Sequence, residues 1–136
     1  KGTVFMCREE IILLLEQIKE SLTTIINRAL PVNKVEDFTH SPEGMMRLDS
    51  ICMQLVTVGE AIKNIDKYTN KELFPKYPSI NWRSVMGLRD IIAHQYFNVD
   101  ADIILHIVKI NIPELLTVID RIIIDAKEEF LKGNLE

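Results

Sequence analysis

The sequence predicts an all-α fold, an antiparallel bundle of four to five helices. Three observations carry this. Apolar residues recur at three- and four-residue steps through most of the 136 residues. Nothing alternates with the two-residue period of a strand, and no Asn-Gly hairpin signal occurs. Mean hydropathy is +0.08, high for a chain of this size with no partner, so part of the apolar surface is expected to be reserved for one.

The first helix spans about Phe5 to Ala29, with Ile11, Leu14, Leu15, Ile18, Leu22, Ile25, Ile26 and Ala29 on one face, and Pro31 closes it. Val32 to His40 is a polar connection. Ser41-Pro42-Glu43 then supplies an N-cap, a proline at the first helical position and an acid in the first turn. The stripe Leu48, Ile51, Cys52, Leu55, Val58, Gly59, Ile62 and Ile65 carries this second helix to about Lys67. Gly59 lies on the stripe and marks a close helix approach.

Thr69-Asn70-Lys71-Glu72 matches a capping box, so a short helical turn is expected over Lys71 to Phe74 before Pro75 and Pro78. Asn81 caps a third helix from Trp82 to about His94, with Trp82, Val85, Met86, Leu88, Ile92 and Ala93 towards the core. Asp100 caps the last segment, whose stripe runs from Ile103, Ile104, Ile107, Val108 and Ile110 through Leu115, Leu116, Ile119, Ile122 and Ile123 to Ala126. Pro113 must lie in the first turn of a new helix or kink the old one. Ile122-Ile123-Ile124 is apolar around more of the circumference than one core face needs, which implies deep burial or self-association. The chain reads as a single domain over residues 1–136, with residues 1–4 a truncated or disordered start.

The composition excludes several classes. A net charge of −4 with pI near 5.4 argues against bulk attraction to nucleic acid, so any RNA contact must be local. Cys7 and Cys52 lack metal-ligand spacing and read as reduced core thiols, which fits a cytoplasmic protein. No apolar run approaches the roughly 18 residues of a membrane span, and no signal peptide is visible. His40, His94 and His106 lack ligand spacing, so no metal or other cofactor is expected.

The candidate chemistry lies in Arg89-Asp90-Ile91-Ile92-Ala93-His94-Gln95-Tyr96. Asp90 and His94 are four apart and share a helical face, so the carboxylate can fix the imidazole tautomer. Arg89, five residues from His94, diverges by about 140° on a straight helix, so only a long arginine side chain, a helix end near His94 or a second subunit can bring both to one phosphate. Tyr96 is expected just past the helix end. An imidazole suits proton transfer and a guanidinium suits phosphate oxygens. The bland readings are a histidine at a helix C-terminus, a solvated Arg-Asp pair and a Tyr96-Phe97 core anchor. Lys63, Lys67, Lys76 and Arg83 read either as a basic rim or as a solvated face, and His106 with Asp102 as an exposed helix pair.

This stretch resembles the Arg-x4-His-x-Tyr signature of HEPN-domain proteins, in particular the HepT family of toxins. The similarity extends through residues 81–100, Ile112-Pro113-Glu114-Leu115 and Val58-Gly59-Glu60-Ala61. The resemblance implies a dimeric helical bundle whose two signature segments face a shared cleft. It also implies a toxin of a type VII-like toxin–antitoxin system, a metal-independent endoribonuclease with Arg89 and His94 catalytic and Asp90 supporting. Tyr96 matches the tyrosine that an MntA-type nucleotidyltransferase antitoxin modifies with AMP. The alternative is a non-catalytic HEPN module that binds a nucleotide or a minimal nucleotidyltransferase. A third reading is a structural dimerisation bundle.

Overall fold

A computed structural model describes residues 7–98 and 100–135, with side chains omitted at 95–98, 130 and 133–135. Within these limits every regular element is helical. Helix α1 covers Arg8–Ala29 and buries Leu15, Ile18, Leu22, Ile25 and Ala29 of the predicted stripe, with Ile11, Leu14 and Ile26 half-buried against the core. Cys7 stands at its N-cap and its N–H donates to Glu10 Oε1 at 3.1 Å. That cap position leaves Cys7 exposed, so the expectation of two core thiols holds for Cys52 alone. Burial, with Asp49 beside it, pushes the Cys52 thiol up to about 11.

The predicted polar connection contains a four-residue helix, α2 (Glu36–Thr39), which periodicity is too short-sighted to reveal. Its Phe38 is fully buried. The Asn33 and Lys34 N–H groups donate to Asp37 Oδ2 at 2.8 and 3.2 Å, holding that carboxyl below its usual range, the Asn33 bond foremost. Helix α3 (Pro42–Tyr68) begins as predicted, with the Gly44 N–H donating to Ser41 Oγ at 2.9 Å. A Cβ on Gly44 would lie 2.7 Å from Phe38 O, so the first turn of α3 rests directly on the α2 backbone.

Cross-links fix the order of the long helices. Arg28 reaches Ser50, and Arg47 Nη1 donates to Arg28 O at 3.0 Å, so the end of α1 lies against the start of α3. Against the last helical segment the pairs are Lys109 Nζ to Ala29 O at 2.8 Å, Lys19 to Asp120 at 2.8 Å and Lys127 to Glu16 at 3.1 Å. Numbers that fall along α1 as they rise along the last segment make that pairing antiparallel, and α3 is antiparallel to α1 as well, since Thr57 and Ala61 share a groove with Leu14 and Ser21 while Arg47 and Ser50 meet Arg28. The exposed ion pairs add little stability and chiefly mark register.

The end of α3 differs from expectation. Asn70 and Lys71 adopt φ of 58° and 60°, the Lys71 N–H donates to Asp66 O at 2.8 Å, and the Thr69 hydroxyl donates back to Ile65 O at 2.8 Å. Thr69 to Glu72 therefore close α3 instead of starting a helix. The short turn follows later, as a 3₁₀ segment at Phe74–Lys76. Phe74 is fully buried with its ring 4.4 Å from that of Trp82, and Trp82 Nε1 donates to Tyr77 O at 2.8 Å. The Tyr77 hydroxyl donates to Asp125 Oδ2 at 2.6 Å, tying this segment to the last helix.

The predicted third helix is two helices, α4 (Trp82–Met86) and α5 (Leu88–Asn98), separated at Gly87. Asn81 caps α4 as expected, accepting from the Ser84 N–H at 3.1 Å. The last segment is α6 (Ala101–His106), a π turn at Ile107–Asn111, and α7 (Ile112–Leu135). Pro113 falls in the first turn of α7, and the wider turn before it accommodates the missing N–H. Ile122 and Ile123 are buried while Ile124 is 45% exposed.

Gly59 marks a close helix approach, as its place on the apolar stripe predicts. A Cβ there would lie 2.8 Å from Val85 O and 3.0 Å from Leu88 Cβ, so α3 meets the α4–α5 junction backbone to backbone. Gly59→Ala is expected to lose about 1–3 kcal/mol in urea unfolding. Unchanged stability would contradict the close approach.

Tyr77 supplies a pH signature. Burial first, then the hydrogen bond to Asp125, raises its phenol above the ordinary value of 10.0. A raised folded value favours the neutral form, so the contribution is full below pH 10 and is lost as pH rises above it. Alkaline unfolding should therefore be steeper in the wild type than in Tyr77→Phe; coincident stability profiles above pH 10 would exclude this role.

Candidate active site

Helix α5 carries the candidate residues, and its packing decides how they are presented. Leu88 and Ile92 are each 5% exposed and turn into the core, Leu88 directly beneath Gly59. With successive residues about 100° apart, the opposite face falls to Arg89, Asp90, Ala93 and His94. All four are exposed. Ala93 was expected towards the core and instead lies on this outward face, because the core side of α5 is already filled by Leu88 and Ile92.

Arg89 and His94 lie about 140° apart around α5. They form the two shoulders of the exposed face, with Asp90 and Ala93 between them. One chain thus presents both outward, on different sides of the exposed face. Asp90 and His94 share a face four residues apart. Asp90 also falls in the first turn of α5, where the helix N-terminus favours a carboxylate in any case.

Tyr96 was expected beyond the helix end, but α5 continues to Asn98, so its backbone is helical. It is seven residues from Arg89, which places it at nearly the same angle around the helix, two turns on. Its phenol lies outside the described residues, as do the side chain of Phe97 and residues 1–6. The break at Gly87 also departs from the single helix that the sequence predicts. It puts Arg89 in the first turn of a separate helix instead of midway along a longer one, and the signal available was a glycine within an otherwise periodic run.

Lys63, Lys67, Lys76 and Arg83 are all exposed, and Lys67 Nζ is 5.6 Å from the centre of the Tyr68 ring. Asp102 and His106 are exposed on α6, as the helix-pair reading expects. Among the described residues no group of His, Cys, Asp and Glu is arranged to hold a metal ion. No helix among them is long and apolar enough to cross a membrane.

Comparison with known proteins places the chain in a family. Residues 14–122 match the family described as Ribonuclease HepT-like, a span running from α1 into α7 and including all of α5. A Methanocaldococcus jannaschii protein named "Putative RNase" is 27% identical over 81% of this chain and 94% of its own length. A Caldanaerobacter subterraneus protein with the same designation is 32% identical over 74% of this chain and 83% of its own. A Thermococcus cleftensis protein named "Probable ribonuclease HepT" is 38% identical over 48% of this chain and 56% of its own. No solved structure matches the chain significantly. The chain belongs to the HepT-like ribonuclease family.

Proposed function

We propose that this protein is the toxin of a type VII-like toxin–antitoxin pair, a homodimeric, metal-independent endoribonuclease whose active site is a cleft between two copies of α5. Family membership supports the coarser activity, ribonuclease. The observation that carries the finer reading is the exposed α5 face, with Arg89 and His94 on its shoulders and a small residue, Ala93, between them. An exposed alanine at the centre of a helix face lets a second backbone approach closely. Two such helices crossing there would bring Arg89 and His94 of both copies around one phosphate.

The chemistry follows from the residue types. One imidazole accepts the proton of a ribose 2′-hydroxyl, and the 2′-oxygen attacks phosphorus. The bond to the 5′-oxygen breaks as the second imidazole donates a proton to it. The products are a 2′,3′-cyclic phosphate and a 5′-hydroxyl end. The arginine forks hold the non-bridging oxygens, where charge accumulates, and Asp90 orients His94. The proposed control is AMP transfer from ATP to the Tyr96 hydroxyl by a cognate nucleotidyltransferase of the MntA type, with release of pyrophosphate. At the register of Arg89, the added phosphate would compete for the same guanidinium.

His94→Ala or Arg89→Ala should lower cleavage of a labelled RNA in EDTA by roughly 10²- to 10⁴-fold with the fold intact. Undiminished cleavage in either variant would overturn the assignment. Ala93→Glu should yield a folded monomer on sedimentation and equally little cleavage. An active monomer would exclude the shared cleft.

A further inference from the structure

Beside the catalytic face lies a groove of about 380 Å³ between the α4–α5 junction and the start of α7. Its walls are formed where both helical segments are interrupted, at Gly87 on one side and at the π turn Ile107–Asn111 on the other. π turns are rare and recur at functional sites. The floor is apolar, with Leu88, Ile112 and Leu115 at 5%, 2% and 2% exposure. The rim is polar. Asn81 spends its oxygen capping α4, which leaves its amide NH₂ as the donor, and Asn111 and Glu114 add further polar groups.

Position links the groove to the site. Ile91 lines it, and His94 follows Ile91 by three residues, so the two are neighbours on successive turns of α5. An apolar slot with a polar rim, large enough for a ring system and one helical turn from the imidazole, matches a nucleobase attached to the ribose at which cleavage occurs.

We propose that this groove is the base-binding subsite of the enzyme, which stacks one unpaired base of the substrate RNA between its apolar walls and reads its edge with Glu114. The inference rests on the ribonuclease reading. A carboxylate accepts hydrogen bonds and donates none, so Glu114 favours adenine and cytosine, whose exocyclic amines donate, over uracil, whose single donor, N3–H, stands between two carbonyl oxygens that repel the carboxylate. The substrate is accordingly a single-stranded or looped segment, since a paired base could not enter.

Binding separates this inference from catalysis. Fluorescence anisotropy of labelled oligo(A), oligo(C) and oligo(U) pentamers is read with full-length His94→Ala protein, which leaves the RNA intact. Oligo(A) and oligo(C) should bind at least about fivefold more tightly than oligo(U). Glu114→Gln should abolish that preference, and Ser84→Trp, which fills the groove from an exposed helix position, should weaken all three. Equal affinity for the three pentamers, or a preference unchanged in Glu114→Gln, would overturn the subsite. Loss of cleavage in the wild type would overturn the ribonuclease reading and leave this measurement standing.

Discussion

The constraint on which the account depends is the pitch of one helix. Five residues on α5 turn through about 140° beyond a full circle, and no side-chain packing within the chain alters that. An arginine and a histidine at this spacing cannot be presented side by side by a straight helix. They can border one exposed face. In the proposed dimer, a second copy of the same face would bring both residue types around one phosphate with twofold symmetry. The spacing therefore makes the proposed dimer part of the chemistry instead of an accessory to it.

The rest of the fold holds that face outward. Gly59 lets α3 meet the α4–α5 junction at backbone distance, and Leu88 and Ile92 fix the rotation of α5 by burying its other side. The Phe74–Trp82 ring pair and the bonds from Trp82 to Tyr77 and from Tyr77 to Asp125 attach the preceding segment to α7. Of these, the apolar contacts supply most of the stability, while the hydrogen bonds select one docking geometry. The same attachments hold the two interrupted helical segments in place on either side of the groove.

Much of the fold was legible because long amphipathic helices state their buried face directly. The stripes of α1 and α3, the Ser41 and Asn81 caps and the close approach at Gly59 all follow from local chemistry. What was not legible depends on tertiary context. Thr69 to Glu72 has the residues of a capping box, but the left-handed conformation of Asn70 and Lys71 turns it into a helix end. Helix α2 has too few residues to show a period, and its burial of Phe38 is visible only in three dimensions. Ala93 has no polarity to declare its side, and the choice falls to the larger Leu88 and Ile92. At the candidate site, the signature residues were readable from sequence, whereas the break at Gly87 and the groove facing the π turn depend on how distant segments meet.

The most direct test of the central claim is cleavage by mixed dimers. Wild-type and His94→Ala chains are unfolded together, refolded at varied ratios, and assayed on a labelled RNA in EDTA. If two imidazoles cooperate in one cleft, only dimers of two wild-type chains are active. Activity then falls with the square of the wild-type fraction, to about a quarter at equal mixing under random twofold pairing. A linear fall, to about half, would mean that each chain carries a complete and independent site, contradicting the account.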